Sequence, residues 1–126
     1  MSAEPAYSEL VARLFAEAPG AGAPAGPGWA AGEASEPLTG TAVRFFLRAE
    51  AGRVAEARYL VRGCPHTIAG AALASRGLPG RAVAGLDVDA AALAAELGAP
   101  PEKLGRIFVI QDAIRSAALQ LARPPA

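Results

Sequence analysis

Cysteine and histidine are each present once in the 126 residues, as Cys64 and His66. A single thiol excludes an intramolecular disulfide and any finger- or ribbon-type metal site built from several cysteines, so redox or sulfur chemistry has to run through one sulfur. With one histidine and no serine–histidine–aspartate order, a hydrolase triad has no support either. Aromatic residues make up only 6%. Much of the 52% hydrophobic fraction is alanine, and each buried alanine removes less apolar surface from water than a leucine or phenylalanine. A modest core in one domain spanning residues 1–126 is expected, with self-association as a source of added stability.

Charge of one sign is also missing. Twelve basic and twelve acidic residues cancel, and no basic run could neutralise several phosphates in succession, which disfavours nucleic acid. No apolar run is long enough to cross a bilayer, and the first residues, Met1-Ser2-Ala3-Glu4, are acidic where a targeting segment would be basic; a cytoplasmic protein is expected. A glycine-rich phosphate loop is absent, and the one close carboxylate pair, Asp87 and Asp89, reads most simply as helix caps.

What is present has a clear order. Tyr7, Leu10, Val11, Leu14 and Phe15 recur at helical spacing and predict a short amphipathic helix over Tyr7 to Glu17. Pro19 to Pro37 is so rich in glycine, proline and alanine that it reads as a mobile loop. Trp29 is its one large side chain, which either pins the loop to the domain or waits for a partner. Thr41 to Arg48 and Arg53 to Arg62 alternate as strands, with Val43, Phe45 and Leu47 on one face of the first, and Ala55, Ala57, Tyr59 and Val61 on one face of the second. Gly52 suits the positive φ of the connection between them, and together they form an antiparallel hairpin.

Gly63-Cys64-Pro65-His66 ends the second strand, and proline at a first helical position makes Cys64 the N-cap of an alanine-rich helix through Arg76. Arg81 to Gly85 is expected to form one turn of helix, and Asp87 or Asp89 to cap another ending at Gly98. A last helix should run from about Pro101 to Leu121, with Leu104, Ile107, Ile110, Ile114, Ala117 and Leu121 as its stripe. The class is α+β: a small antiparallel sheet, a hairpin with a third strand allowed for, packed against several helices.

Cys64 is the candidate site. At a helix N-terminus it faces unpaired backbone N–H groups and the positive end of the helix dipole, which favour thiolate. His66 either shares a metal with Cys64 or, when protonated, holds its negative charge. The bland readings stand beside these: free cysteines are commonly inert and buried, and a lone histidine is commonly structural. Asp112, Lys103 and the Glu33-Ala34-Ser35-Glu36 stretch carry no independent weight as site candidates.

The stretch from Gly63 onward resembles the NifU N-terminal or IscU-type iron–sulfur cluster scaffold family. The resemblance is carried by Gly63-Cys64 before a small-residue helix, Glu96-Leu97-Gly98, Pro100-Pro101-Glu102-Lys103 and Gln111-Asp112-Ala113-Ile114, with Val54-Ala55-Glu56-Ala57-Arg58-Tyr59 ending the hairpin. It implies a SufE/NifU-like fold and a scaffold that takes sulfur from a cysteine desulfurase, builds a transient [2Fe–2S] cluster on cysteines, and passes it to recipient proteins. It also implies that the first ligand cysteine falls at Leu38, an aspartate at Gly40, and a histidine–cysteine pair at Gly105 and Arg106, so only Cys64 survives. Leucine, glycine and arginine cannot replace thiolates. The proline-proline segment departs too, because Glu102 stands between Pro101 and Lys103 where the family's chaperone-binding motif has valine.

Participation in iron–sulfur cluster assembly as a scaffold-like protein is the expected function, and three readings of the chemistry follow, the last two as alternatives. One is a scaffold or iron carrier, in which Cys64 with His66, or a homodimer contributing one Cys64 from each chain, binds metal. Another is a SufE-like acceptor bearing a persulfide on Cys64, with Arg106 and Lys103 in support. The third is a non-catalytic regulatory module of the assembly machinery. None of the three is an enzyme of its own; each is a carrier or a partner.

Overall fold

A computed structural model describes residues 7–122; the acidic start at Met1 to Glu4 lies outside them. The elements are α1 (Glu9–Glu17), β1 (Trp29–Glu36), β2 (Thr41–Glu50), β3 (Arg53–Arg62), α2 (Pro65–Gly77), α3 (Ala90–Leu97), a 3₁₀ turn (Pro101–Lys103) and α4 (Leu104–Ala122). The strands form one antiparallel sheet in the order β1-β2-β3, with the helices on one face, so the α+β class holds.

The alternation read from the sequence defines that covered face. Val43, Phe45 and Leu47 of β2 stand between Ala34, Gly32 and Ala30 of β1 and Val61, Tyr59 and Ala57 of β3. All three β2 side chains are buried, and so is Tyr59. The phase changes at one point. The register shifts between Arg48 and Ala49, leaving Ala55 as the extra residue of a bulge, so Val54 and not Ala55 fills the core at that end. Ala51 and Gly52, both at positive φ, make the two-residue hairpin turn.

Pro19 to Pro37 is not a loop throughout. Its second half is β1, and its first half is stitched to the outer edge of β3: Gly22 N donates to Tyr59 O (2.8 Å), Tyr59 N to Gly20 O (3.2 Å), and the Tyr59 hydroxyl to Pro19 O (2.9 Å). Small residues in β1 hid a requirement of packing. A Cβ on Gly32 would sit 2.5 Å from Ala113 O and 2.7 Å from Ser116 C, and closer still to Ala117 N, so α4 rests backbone to backbone on this strand. Trp29 opens β1 on the face opposite the helices, where the Arg48 guanidinium lies 5.9 Å from its ring centre.

Arg81 to Gly85 forms no helix. It runs as a second strap along the edge of β3, with Val54 N donating to Arg81 O (2.8 Å) and Gly80 N to Val54 O (2.7 Å), and backbone committed to those bonds cannot close a helical turn. Ser8 caps α1, so the helix begins at Glu9; Val11 and Leu14 are buried, while Phe15, expected on that face, stays exposed. Asp89 caps α3 through Ala91 N and Ala92 N, and Gly98 ends it at φ 68°. Asp87 is not a cap but pairs with Arg115 (2.7 Å).

Helix α2 lies against α4 on alanine and glycine: a Cβ on Gly70 would come within 2.7 Å of Ile110 Cδ1. Small residues here bring the two helices close, with Ile107 and Ile110 of α4 packed against Gly70, while Ala113 and Ala117 of α4 face the sheet. Among the described residues no helix is long and apolar enough to cross a membrane.

Candidate functional site

Three chain segments meet at one end of the sheet: the turn between β1 and β2, the start of α2 as it leaves β3, and the first turn of α4. At their junction Cys64 is the N-cap of α2, in extended conformation (φ −79°, ψ 169°), with Pro65 following at the first helical position. Its carbonyl accepts from Thr67 N (3.0 Å) and Ile68 N (3.1 Å), which starts the helix and leaves the sulfur half-buried at its end.

The sulfur closes no cap hydrogen bond, but its surroundings are those of an anion site. Thr67 Oγ1 lies 3.5 Å from Sγ. Burial pushes the thiol up; the Thr67 hydroxyl, the backbone N–H groups of Thr67 and His66, and the Arg106 guanidinium together outweigh it and bring the thiol down to about 7. Thr67 was not singled out from the sequence. The usable signal was its place three residues after an N-cap, where a hydroxyl reaches back to the cap.

His66 stands differently from the protonated role expected of it. It is 3% exposed, its ring is 4.9 Å from that of Tyr7, and neither ring nitrogen has a partner among the described residues. Burial, followed by the charges of Lys103 and Arg106, pushes it below its usual value. A neutral imidazole at neutral pH adds no positive charge for a thiolate.

Arg106 is the connecting residue. Its guanidinium helps lower the Cys64 thiol, its charge also helps lower Glu36, and its buried Nε has no partner among the described residues. Glu36 was grouped with ordinary solvated positions in the sequence, but it staples the β1–β2 turn. Its carboxylate accepts from the Thr39 hydroxyl (2.7 Å), Thr39 N (2.9 Å) and Leu38 N (2.9 Å), which hold it below the usual carboxylate range, the Thr39 hydroxyl foremost.

The remaining positions of interest lie in the same three segments. Leu38 is 95% exposed at the tip of the turn, Gly40 has φ +73°, and Gly105 faces open space. Among the described residues no group of three or more histidine, cysteine, aspartate or glutamate side chains could hold a metal ion. One thiolate under a guanidinium does not fit an iron–sulfur cluster, which takes several thiolates and a surrounding free of fixed cations. Asp112 is exposed on α4 and takes no part.

The sequence profile described as NifU-like N terminal domain matches residues 6–124. No curated protein matches the sequence. Among solved structures, the N-terminal part of a nitrogen-fixing NifU-like protein from Brucella abortus superposes with a TM-score of 0.72 at 16% identity, covering 90% of this chain and 92% of that one. A second, described as a candidate iron–sulfur cluster assembly scaffold for the SUF system from the thermophile Fervidobacterium islandicum, gives 0.70 at 11% identity, covering 89% and 96%. These identities carry the fold.

Proposed function

Because this chain belongs to the NifU-like N-terminal domain family, we propose that it works in iron–sulfur cluster assembly as a scaffold-fold protein whose chemical contribution is one sulfur-bearing thiol, Cys64. The observation that carries this is the Cys64 environment, in which Thr67, Arg106 and two backbone N–H groups favour the thiolate while the other family ligand positions hold Leu38, Gly40, Gly105 and Arg106.

In the transfer, the Cys64 thiolate attacks the outer sulfur of a persulfide R–S–SH on a cysteine desulfurase. A new S–S bond forms on Cys64, the donor's S–S bond breaks, and the donor leaves as the thiolate R–S⁻, so no outside oxidant or reductant is consumed. Arg106 and Thr67 lower the charge cost of the attacking thiolate beforehand and of the deprotonated persulfide afterwards. Recipient iron–sulfur proteins or a cluster-bearing partner take the sulfur onward, and the protein acts as a carrier in the cytoplasm.

The test is anaerobic incubation with a cysteine desulfurase and cysteine, followed by intact mass spectrometry. The expected product is a gain of one sulfur atom on the wild type and none on Cys64→Ser. Wild type without added sulfur would refute the proposal.

A further inference from the structure

The helices cover one face of the sheet, and the other face is divided in two. At the hairpin end the loop of residues 23–27 borders Trp29, Arg48, Glu56 and Arg58, so Arg58 stands where the loop-bordered half meets the open one. At the opposite end, where β3 runs into Cys64, nothing among the described residues covers the sheet, and a hollow of about 520 Å³ lies among Glu33, Ser35, Ala42, Arg44, Leu60 and Arg62.

Charge on this face is unevenly compensated. Arg44 pairs with Glu33 (3.1 Å), and Arg48 pairs with Glu50 and Glu56. Arg58 spends its N–H groups on the carbonyls of Gly22 and Ala21 and so keeps its full charge, while Arg62 has no partner among the described residues. Leu60, 43% exposed, stands between these two arginines on the same side of β3. Alternation therefore lines up cation, apolar side chain and cation on one strand, and two residues beyond Arg62 is the sulfur.

We infer that Arg58, Leu60 and Arg62 form the docking stripe for an acidic, partly apolar face of the protein that delivers sulfur to Cys64. The inference rests on the proposed function and adds where the donor sits. Two uncompensated guanidinium groups select a carboxylate-bearing surface, Leu60 gives it an apolar anchor, and continuity with Cys64 brings whatever docks there up to Sγ. The rate of transfer between two proteins then depends on this stripe, whereas transfer from a small donor does not.

The experiment measures the rate of sulfur loading on Cys64 from two donors: a persulfide-loaded cysteine desulfurase and a low-molecular-weight persulfide. Arg62→Glu and Leu60→Ala are compared with wild type and with Arg76→Glu on the helical side. With the desulfurase at low salt, Arg62→Glu is expected to be slower by about tenfold, a gap that closes as salt rises, with Leu60→Ala slower at all salt concentrations. With the small persulfide, all four proteins are expected to load equally. Equal rates for Arg62→Glu and wild type with the desulfurase overturn the stripe while leaving the proposed function intact. So does equal slowing with both donors, which would place the effect at the thiol. Failure of wild type to load from either donor is the separate failure of the proposed function.

Discussion

Replacing the groups around Cys64 should move its reactivity in opposite directions at low and high pH. The wild-type thiol at about 7, against an ordinary 9.0, is about half ionised at pH 7 where an unperturbed thiol is about one per cent ionised, an advantage of roughly 50-fold in thiolate. A weaker base is also a weaker nucleophile, and with a Brønsted slope of about 0.4–0.5 a shift of two units costs roughly 6- to 10-fold in intrinsic rate. The net gain at pH 7 is therefore about 5- to 8-fold, and at pH 10, with both thiols ionised, the wild type is the slower by about 6- to 10-fold. Thr67→Val combined with Arg106→Met removes the two side chains that stabilise the anion. Its pH–rate profile with iodoacetamide should rise later and higher and cross that of wild type near about pH 8. Cys64 is the only thiol, so alkylation reports this site alone. A double variant whose midpoint stays near that of wild type, or profiles that do not cross, would refute the reasoning.

Gly32→Ala should be far more damaging than Gly70→Ala: the first drives a Cβ into α4 backbone, which no side-chain rotation can clear, and should cost about 3 kcal/mol or more. The second meets only the far end of Ile110, and gains about 0.5–1 kcal/mol in helix propensity as an offset. Urea midpoints compare the two, and equal losses would contradict the close approach of α4 to β1. Leu38→Cys with Gly40→Asp and Arg106→Cys should turn a protein that gives no chromophore on anaerobic reconstitution with iron and sulfide into one that does. A coloured wild type, or a colourless triple variant with native stability, goes against the ligand reading. Because folding holds His66 below its free value of 6.5, its contribution to stability is complete above 6.5 and is lost as pH falls through the folded value. His66→Leu should flatten that acid-side loss in urea midpoints measured between pH 7 and 5.

The parts of this protein legible in the sequence were those where a local rule and the tertiary structure agree. Asp89 and Gly98 bracket α3 as capping chemistry requires, Cys64-Pro65 opens α2, and Val43, Phe45 and Leu47 face the helices as their alternation demands. A third strand was allowed for, but β1 was read as loop because its sequence, Trp29 to Glu36, is written for a neighbour and not for itself. Alanines and Gly32 are poor strand formers in isolation, and they are required only because α4 lies against them. The strap at Arg81 to Gly85 failed the same way, its backbone bonded to residues nearly thirty positions earlier. At the site, the thiol was visible as a unique residue at a cap. Glu36, which holds its turn through Thr39 and Leu38, was not, since nothing in a Glu-Pro-Leu-Thr run shows which side chain folds back.

The two straps on β3 decide how this protein can join others through its sheet. Residues 20–22 and 80–83 occupy the backbone donors and acceptors of Tyr59 and Val54 that an added strand would use. Among the described residues β1 carries no such strap along its outer edge. An added strand therefore finds a continuous edge on β1 and an interrupted one on β3, so two copies joined edge to edge through β1 are favoured over a sheet that grows from molecule to molecule.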